Sequence, residues 1–486
     1  MLFNSWGYLL FLLIFVPLHW LLPHRWRIGM LGGASVLFYS MWRWEFSLLV
    51  VFSACIDFVA SRRIHASEDP RARKRWLLLS LGVNLGLLVA FKYTYFIWDN
   101  ISVLGAQAGA DWPALQDLGV RIILPLGISF YTFQTISYTI DVYRRVIEPV
   151  PRFVSFLTYV TFWPQLIAGP VLRAGEVLPQ LEAERKLRWG DVNAGLALIV
   201  TGMFQKVVLA DSIAPMVDEI FAMPAATLTA LDTWVATFLF GFQIYFDFAG
   251  YSAMAIGSAM LVGLHFPDNF DWPYMAKSPR EFWQGWHISL SSWIRDYLYL
   301  PLTGQAFRTK STGGIGVATQ RTGSHHLRAL FLTWFIMGLW HGAAWTFALW
   351  GLYHATLIAL YRVLTPLKKM PEALPFFSWV LLLFTSMAGW IPFRAQGLGD
   401  SLTMFGKLID PSAYTLSGRQ ADMYTYFWTA VITLGMAVTW WFIRRPARKP
   451  LPNLVTHPVQ GVALAVMVCA ILICLRTAKQ FIYFQF

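Results

Sequence analysis

The stretch Arg71-Ala-Arg-Lys-Arg-Trp-Leu-Leu-Leu-Ser-Leu-Gly-Val-Asn-Leu-Gly-Leu-Leu-Val-Ala90 decides the fold. Four of its first five residues are basic, and no charge follows from Trp76 onward. An uncharged apolar run approaching about 20 residues predicts a transmembrane helix, and a basic cluster at its end predicts the cytoplasmic side. Tyr8–Trp20 and Val459–Leu475 repeat the apolar signal. Over all 486 residues the chain is 57% hydrophobic and only 13% charged, against about 45–50% and about 25% in ordinary globular domains. So few charges cannot cover a water-facing surface. The chain reads as an all-α, multi-pass membrane protein, one polytopic domain over 1–486.

Candidate spans are 4–22, 28–42, 44–61, 76–98, 120–140, 190–210, 231–262, 375–395, 425–443 and 459–475. Two more apolar stretches, 153–170 and 328–362, have awkward lengths or Gly and Pro breaks. Phe162–Pro170 contains Trp163, Pro164, Gly169 and Pro170, which predicts a re-entrant segment rather than a continuous helix. The basic loop Ser61–Arg75 is expected in the cytoplasm and Asn100–Val120, without Lys or Arg, outside. Three spans before the first basic loop put the N-terminus outside, and later alternation puts the C-terminus there too. The first apolar stretch is expected to be a retained span rather than a cleaved leader. Thr309–Ser324, rich in Gly, Thr and Ser, reads as a solvent-exposed cytoplasmic loop.

The net charge of +12 fits basic cytoplasmic loops among membrane lipids, so no nucleic-acid partner is expected. Cys55 stands alone and Cys469 and Cys474 lie five apart, which predicts buried thiols rather than a disulfide. There is no metal-ligand spacing, nucleophile elbow or phosphate-binding loop. No metal or bound cofactor is expected.

Ionisable residues inside apolar segments are functional candidates because burying them is costly. In Phe335-Ile-Met-Gly-Leu-Trp-His-Gly-Ala-Ala-Trp345, His341 follows Trp340 near the middle of a long apolar stretch. Burial favours the neutral imidazole, which can accept a proton, and Gly342 is expected to leave the backbone beside it uncrowded. The competing reading is a hydrogen-bonded structural histidine. His354, 13 residues on, lies about 220° around a continuous helix and need not share the site. A second segment, Glu281–Tyr297, concentrates Trp286, His287, Ser289, Arg295 and Asp296. It suits a wet path on which Arg295 or Arg280 draws in an anionic donor, or else an interfacial helix. Within Asn269–Leu302 it is too polar for lipid and too aromatic for a free loop. In Gln243-Ile-Tyr-Phe-Asp-Phe-Ala-Gly-Tyr251 a buried Asp247 needs a partner, with Arg280 and Arg295 as candidates, and Gln243 is a further polar group. Ser129, Tyr131 and Gln134 read as interhelical hydrogen-bonding residues.

Six motifs occur in order: Pro125–Phe130 with Asp141-Val-Tyr143, Leu166-Ile-Ala-Gly-Pro170, Tyr245–Tyr251, Trp286-His-Ile-Ser-Leu-Ser291, Arg295-Asp-Tyr-Leu298 and Leu339-Trp-His-Gly342. Together they resemble the membrane-bound O-acyltransferase (MBOAT) family, within it the bacterial alginate O-acetyltransferase branch. The D-alanine-loading protein of teichoic acid synthesis is a more distant relative. The resemblance implies an MBOAT-type bundle of about a dozen transmembrane and re-entrant helices around a cytoplasmic funnel and central tunnel. It implies His341 as the essential histidine and His287 as the second. Trp340, Trp286, Ser289, Arg295, Asp296, Asp247, Arg280 and Gln243 would then serve donor or acceptor binding. The implied donor is acetyl-CoA or a derived acetyl thioester. The implied setting is the cell inner membrane, beside a periplasmic acetyltransferase or esterase-like protein and a polysaccharide synthesis and export complex. Alginate is the first acceptor, with cellulose and peptidoglycan as competitors. One departure is Pro301-Leu-Thr-Gly-Gln-Ala-Phe307, where alginate-type members carry a Gly-Gly pair followed by polar and basic residues. Two other readings stay open: a polysaccharide or lipid-linked sugar transporter without acyl transfer, and an acyltransferase for lipids, sterols or proteins.

Overall fold

A chain in lipid must satisfy its backbone hydrogen bonds within itself, and each apolar run folds accordingly into a helix. The computed structural model describes residues 3–110, 112–166, 169–304, 324–444 and 458–475, and the regular elements among them are all helical. The Gly-, Thr- and Ser-rich loop as far as residue 323 and the basic stretch 445–450 lie outside the described residues. By length and composition, Trp44–Ala66, Pro70–Gln107, Trp189–Ala222 and Pro375–Arg394 can each cross a membrane. Trp345–Val363 with Thr365–Ala373, bent by 84°, makes a possible fifth span, and Trp6–Leu21, Met423–Val438 and Gly461–Cys474 are shorter apolar helices. Outward leucines such as Leu13 and Leu21 are exposed, as lipid contact requires. The cysteines are free, but Cys55 and Cys469 are exposed and Cys474 half-buried. The expectation of core thiols is therefore corrected: these small apolar groups sit on outer helix faces, where lipid accepts them as well as a core does.

Two compact units can be described. The first holds residues up to 191 together with Ser258–Phe266. Its helix Pro70–Leu88 starts earlier than hydropathy suggests, because Asp69 caps it by accepting from the amides of Arg71 (3.0 Å) and Ala72 (3.1 Å) and Pro70 opens it. The basic residues 71–75 thus belong to the helix, and only Ser67–Asp69 is turn. Arg73 donates to the carbonyl of Tyr143, Arg62 to that of Pro151 (3.2 Å), and Arg145 pairs with Glu68 at 3.1 Å. The two basic segments therefore meet at one end of this unit.

The span expected over 120–140 is half helix. Residues 120–127 are irregular, and the helix Ile128–Tyr143 begins after Pro125 and a left-handed Gly127 (φ 71°), where an added Cβ would collide with the Leu166 carbonyl. Phe153–Thr161 and the single turn Trp163–Leu166 confirm the expected break. Polar links hold the bundle together at different residues from those expected. Asn84 donates to both oxygens of the buried Asp57 (3.0 Å each) and accepts from Ser53 (2.7 Å) and Thr135 (3.1 Å), while Ser80 joins Asp57 to Thr139. Thr135 and Thr139, about one to three turns beyond Ser129 and Tyr131, carry the interhelical bonds.

The second unit comprises 192–257, 267–304 and the described residues from 324 onward. Its frame is the helix Ala230–Leu261 as far as Gly257, the Trp189–Ala222 helix from Val192, and the hairpin Ser324–His341 with Trp345–Val363. Short helices between Pro267 and Leu302, then Pro375–Ala388 and Ile391–Arg394, pack within the same unit.

Candidate active site

His341 closes the helix Ser324–His341. Gly342–Ala344 turn the chain, with Ala344 N bonded to the Gly342 carbonyl (2.9 Å), before the helix Trp345–Val363 starts. The histidine is therefore at a break rather than inside a continuous helix, and the 220° projection for His354 does not apply. The expected open space beside Gly342 is also absent, since a Cβ there would overlap the Phe347 ring. His341 is 5% exposed. Its ring lies 4.9 Å from Trp340, 4.9 Å from Trp350 and 5.4 Å from Phe393, centre to centre. Trp350 also contacts His354 at 5.0 Å, so both histidines border one indole.

His287 comes from a segment with unusual backbone. Asn269–Leu302 folds as a 3₁₀ turn, two short helices, a π-helical turn at Arg295–Tyr299 and a last α-helical turn at Leu300–Leu302, with Trp283, Trp286, His287, Ser289 and Asp296 buried. It is a packed structure and not a loose loop. Among described non-glycine residues, positive φ occurs at Arg145, Trp272 and His287, the last two both at 43° and both in this segment. Such conformations persist only when surroundings enforce them, and they concentrate at functional sites. Here the enforcement is visible: Asp271 N bonds to the Gly285 carbonyl (2.9 Å) and Ile288 N to the Asn269 carbonyl (2.9 Å).

Aromatic rings join the two histidines. Trp350 lies 6.3 Å from Trp390, and Trp390 lies 4.9 Å from Trp286, the neighbour of His287. Trp390 is fixed by donating to the Tyr274 hydroxyl (3.1 Å), which itself donates to the Gly241 carbonyl at 2.6 Å. Trp340 and Trp286 thus belong to a buried aromatic region with a histidine at each end.

The charged candidates are arranged otherwise than the sequence suggested. Arg295 is exposed and clamps its neighbour Asp296 through two hydrogen bonds, 2.7 and 3.1 Å. The resulting charge is locally balanced rather than a free attractor for an anion. Arg280 is exposed at the start of a short helix. Asp247 pairs with Lys206, which also reaches Asp211 at 2.9 Å and lies 5.7 Å from the Tyr251 ring. The proposed partners Arg280 and Arg295 are therefore corrected to Lys206, a residue on the π-helical turn Phe204–Ala210. Its signal was present in the sequence: a lone cation inside a span-length apolar segment, as Asp247 is a lone anion. The Gln243 Oε1 is buried without a hydrogen-bond partner among the described residues. Asn269 was not singled out by the sequence, although its Oδ1 lies 3.0 Å from His287 Nδ1. No group of three potential metal-ligating side chains occurs among the described residues.

The described residues are helical and set two buried histidines against one aromatic cluster, and comparison with known proteins supplies the class. Residues 144–388 match the model of the MBOAT, membrane-bound O-acyltransferase family, and the chain belongs to that family. It is an O-acyltransferase, which decides against the transporter reading. It is 36% identical over 440 residues to a probable alginate O-acetylase of Azotobacter vinelandii, covering 90% of this chain and 84% of the relative. A peptidoglycan O-acetyltransferase of Helicobacter pylori is 31% identical over 82% of this chain and 75% of its own. A teichoic acid D-alanyltransferase of Bacillus subtilis is 29% identical over 54% of this chain and 65% of its own.

Proposed function

We propose that this enzyme moves an acetyl group from a cytoplasmic thioester, acetyl-CoA or a derivative of it, across the cell inner membrane for O-acetylation of an exported polysaccharide. Alginate is the first choice of polymer, because the relatives that match over most of the chain include probable alginate O-acetylases. Peptidoglycan and cellulose are the competitors. The acceptor hydroxyl belongs to the polymer or to a serine of a periplasmic acetyltransferase or esterase-like partner working with the synthesis and export complex.

In this reading His341 is the general base. The acceptor oxygen forms a bond to the acetyl carbonyl carbon as the carbon–sulfur bond breaks. The hydroxyl proton passes to the neutral imidazole and from there to the leaving thiolate. The observation that carries the reading is the position of His341, buried at a helix break between Trp340, Trp350 and Phe393. Such surroundings exclude the water that would hydrolyse a thioester. Trp286, Ser289, Gln243 and Arg280 stand as binding groups, with Arg295–Asp296 and Lys206–Asp247 holding the segments that carry them. General-base assistance accounts for about 10²–10⁴-fold in rate. His341→Ala is therefore expected to accumulate normally in the membrane while base-labile acetyl on the exported polymer falls to background and polymer export continues. Near-normal acetylation at normal protein level would overturn the mechanism.

A further inference from the structure

We infer that Asn269 is a positioning residue that sets the proton on His287, holding the imidazole in its Nδ1–H form so that Nε2 accepts a hydrogen bond from a hydroxyl of the acceptor. The role given to the acceptor rests on the proposed function, while the protonation pattern rests on hydrogen-bond geometry alone.

The side-chain oxygen of Asn269 is identified by a donor that has no choice. The backbone N–H of Ser289 points to Oδ1 at 3.3 Å, and an amide N–H only donates. The opposite end agrees, since Nδ2 donates to the Ser252 hydroxyl at 3.0 Å. The Ser289 contact settles which way the amide faces, since the Ser252 hydroxyl could bond either end. The same Oδ1 lies 3.0 Å from His287 Nδ1 and accepts the Ser289 hydroxyl at 2.8 Å. With an acceptor oxygen opposite it, His287 Nδ1 must carry the hydrogen. The rings of Phe248 (4.6 Å) and Phe270 (6.4 Å) flank the imidazole, which favours its uncharged form. A neutral ring has one N–H, so the lone pair is on Nε2.

The backbone of Asn269 reinforces this. Its carbonyl accepts from Ile288 N at 2.9 Å. One residue thus grips the chain on the far side of His287 and the ring itself, and holds the left-handed φ of 43°. Through Ser252 the grip is anchored to the helix Ala230–Leu261, the same helix that carries Phe248 and Asp247.

The consequence is a division of roles. A nitrogen that presents a lone pair cannot donate to the acetyl carbonyl oxygen, so His287 serves a reactant that brings a proton. His341 takes the proton of the attacking hydroxyl, and His287 holds a second hydroxyl. Two accepting histidines, one at each end of the aromatic cluster, suit an acceptor that carries more than one hydroxyl.

The test is ¹⁵N NMR of the full-length protein in lipid nanodiscs with ¹⁵N-histidine, the His287 signals being assigned by their loss in His287→Gln. The expected wild-type pattern is a protonated Nδ1 and an unprotonated Nε2. Asn269→Asp, which keeps an accepting oxygen, should retain that pattern and most of the acetylation. Asn269→Leu should lose the preference and lower transfer by about 10–100-fold, the range found when a residue that orients a metal-ligating histidine is removed, at unchanged membrane abundance. A wild-type His287 protonated at Nε2, or an unchanged pattern in Asn269→Leu, would overturn the assignment. Because the spectra need no turnover, they stand apart from the His341→Ala experiment. Acetylation surviving in His341→Ala would sink the proposed mechanism and leave the tautomer assignment intact.

Discussion

Lys206 offers the sharpest energetic test of the fold. Its side chain is 3% exposed and lies between Asp247, 2% exposed, and Asp211, 16% exposed. Replacing it by Met keeps the length of the apolar stem but leaves the Asp247 carboxylate buried without its cation. Removing one partner of a buried pair typically costs about 3–5 kcal/mol, because the remaining charge stays desolvated. Asp211 is less buried and should contribute less. The double variant Lys206→Met/Asp247→Leu removes both charges, and replacing a whole buried pair by apolar groups is often neutral or stabilising. The coupling between the two sites should therefore be large and positive in a double-mutant cycle. The assay is the thermal aggregation midpoint in detergent, together with the amount of protein inserted in the membrane. Lys206→Met should lower both strongly, and adding Asp247→Leu should restore most of the loss. A single variant as stable as wild type, or a double variant no better than the single, would refute the claim that Lys206 and Asp247 form a tightly coupled buried pair.

Further outcomes follow from other contacts. Gly342→Ala forces a methyl into the Phe347 ring, which packs 4.9 Å from Phe393 and so bears on His341; overpacking of this kind costs about 1–3 kcal/mol, and acetylation should fall and partly recover in Gly342→Ala/Phe347→Leu. Asn84→Leu leaves Asp57 without its amide donor and should lower the aggregation midpoint by an amount matching about 1–3 kcal/mol, with Asp57→Leu in the same chain restoring it; no recovery would contradict the role given to that cluster. For the orientation, a cysteine at Ala110 should react with an impermeant maleimide added from outside and one at Ala66 should not, in a background lacking Cys55, Cys469 and Cys474; the reverse pattern would exchange the donor and acceptor sides.

The helices and the burial of His341 and His287 were legible in the sequence because each leaves a one-dimensional signal. An apolar run of span length is a statement about neighbours in the chain, so Trp44–Ala66, Trp6–Leu21 and Pro375–Arg394 appear close to where hydropathy puts them. Trp163 and Pro164 likewise announce a break that the backbone obeys. What escaped depends on which residues meet in space. The charge on Asp247 was evident, but its partner was sought among arginines that follow it in sequence. The actual partner precedes it by 41 positions, on a helix whose register a π-helical turn resets. The 220° separation of His341 and His354 failed for a related reason: it assumed unbroken helical geometry across Gly342–Ala344, where the chain turns back and sets both rings against Trp350. Asn269 shows the limit most clearly. Before Phe270 and Asp271 it resembles a turn residue, and nothing in its composition marks it. Its importance comes from Ile288 and Ser289 folding back onto it, which a positive φ at His287 makes possible. The histidines could be found as costly residues in apolar surroundings. The residue that decides which nitrogen of His287 is basic is an ordinary asparagine, and only the closed backbone around it gives it that role.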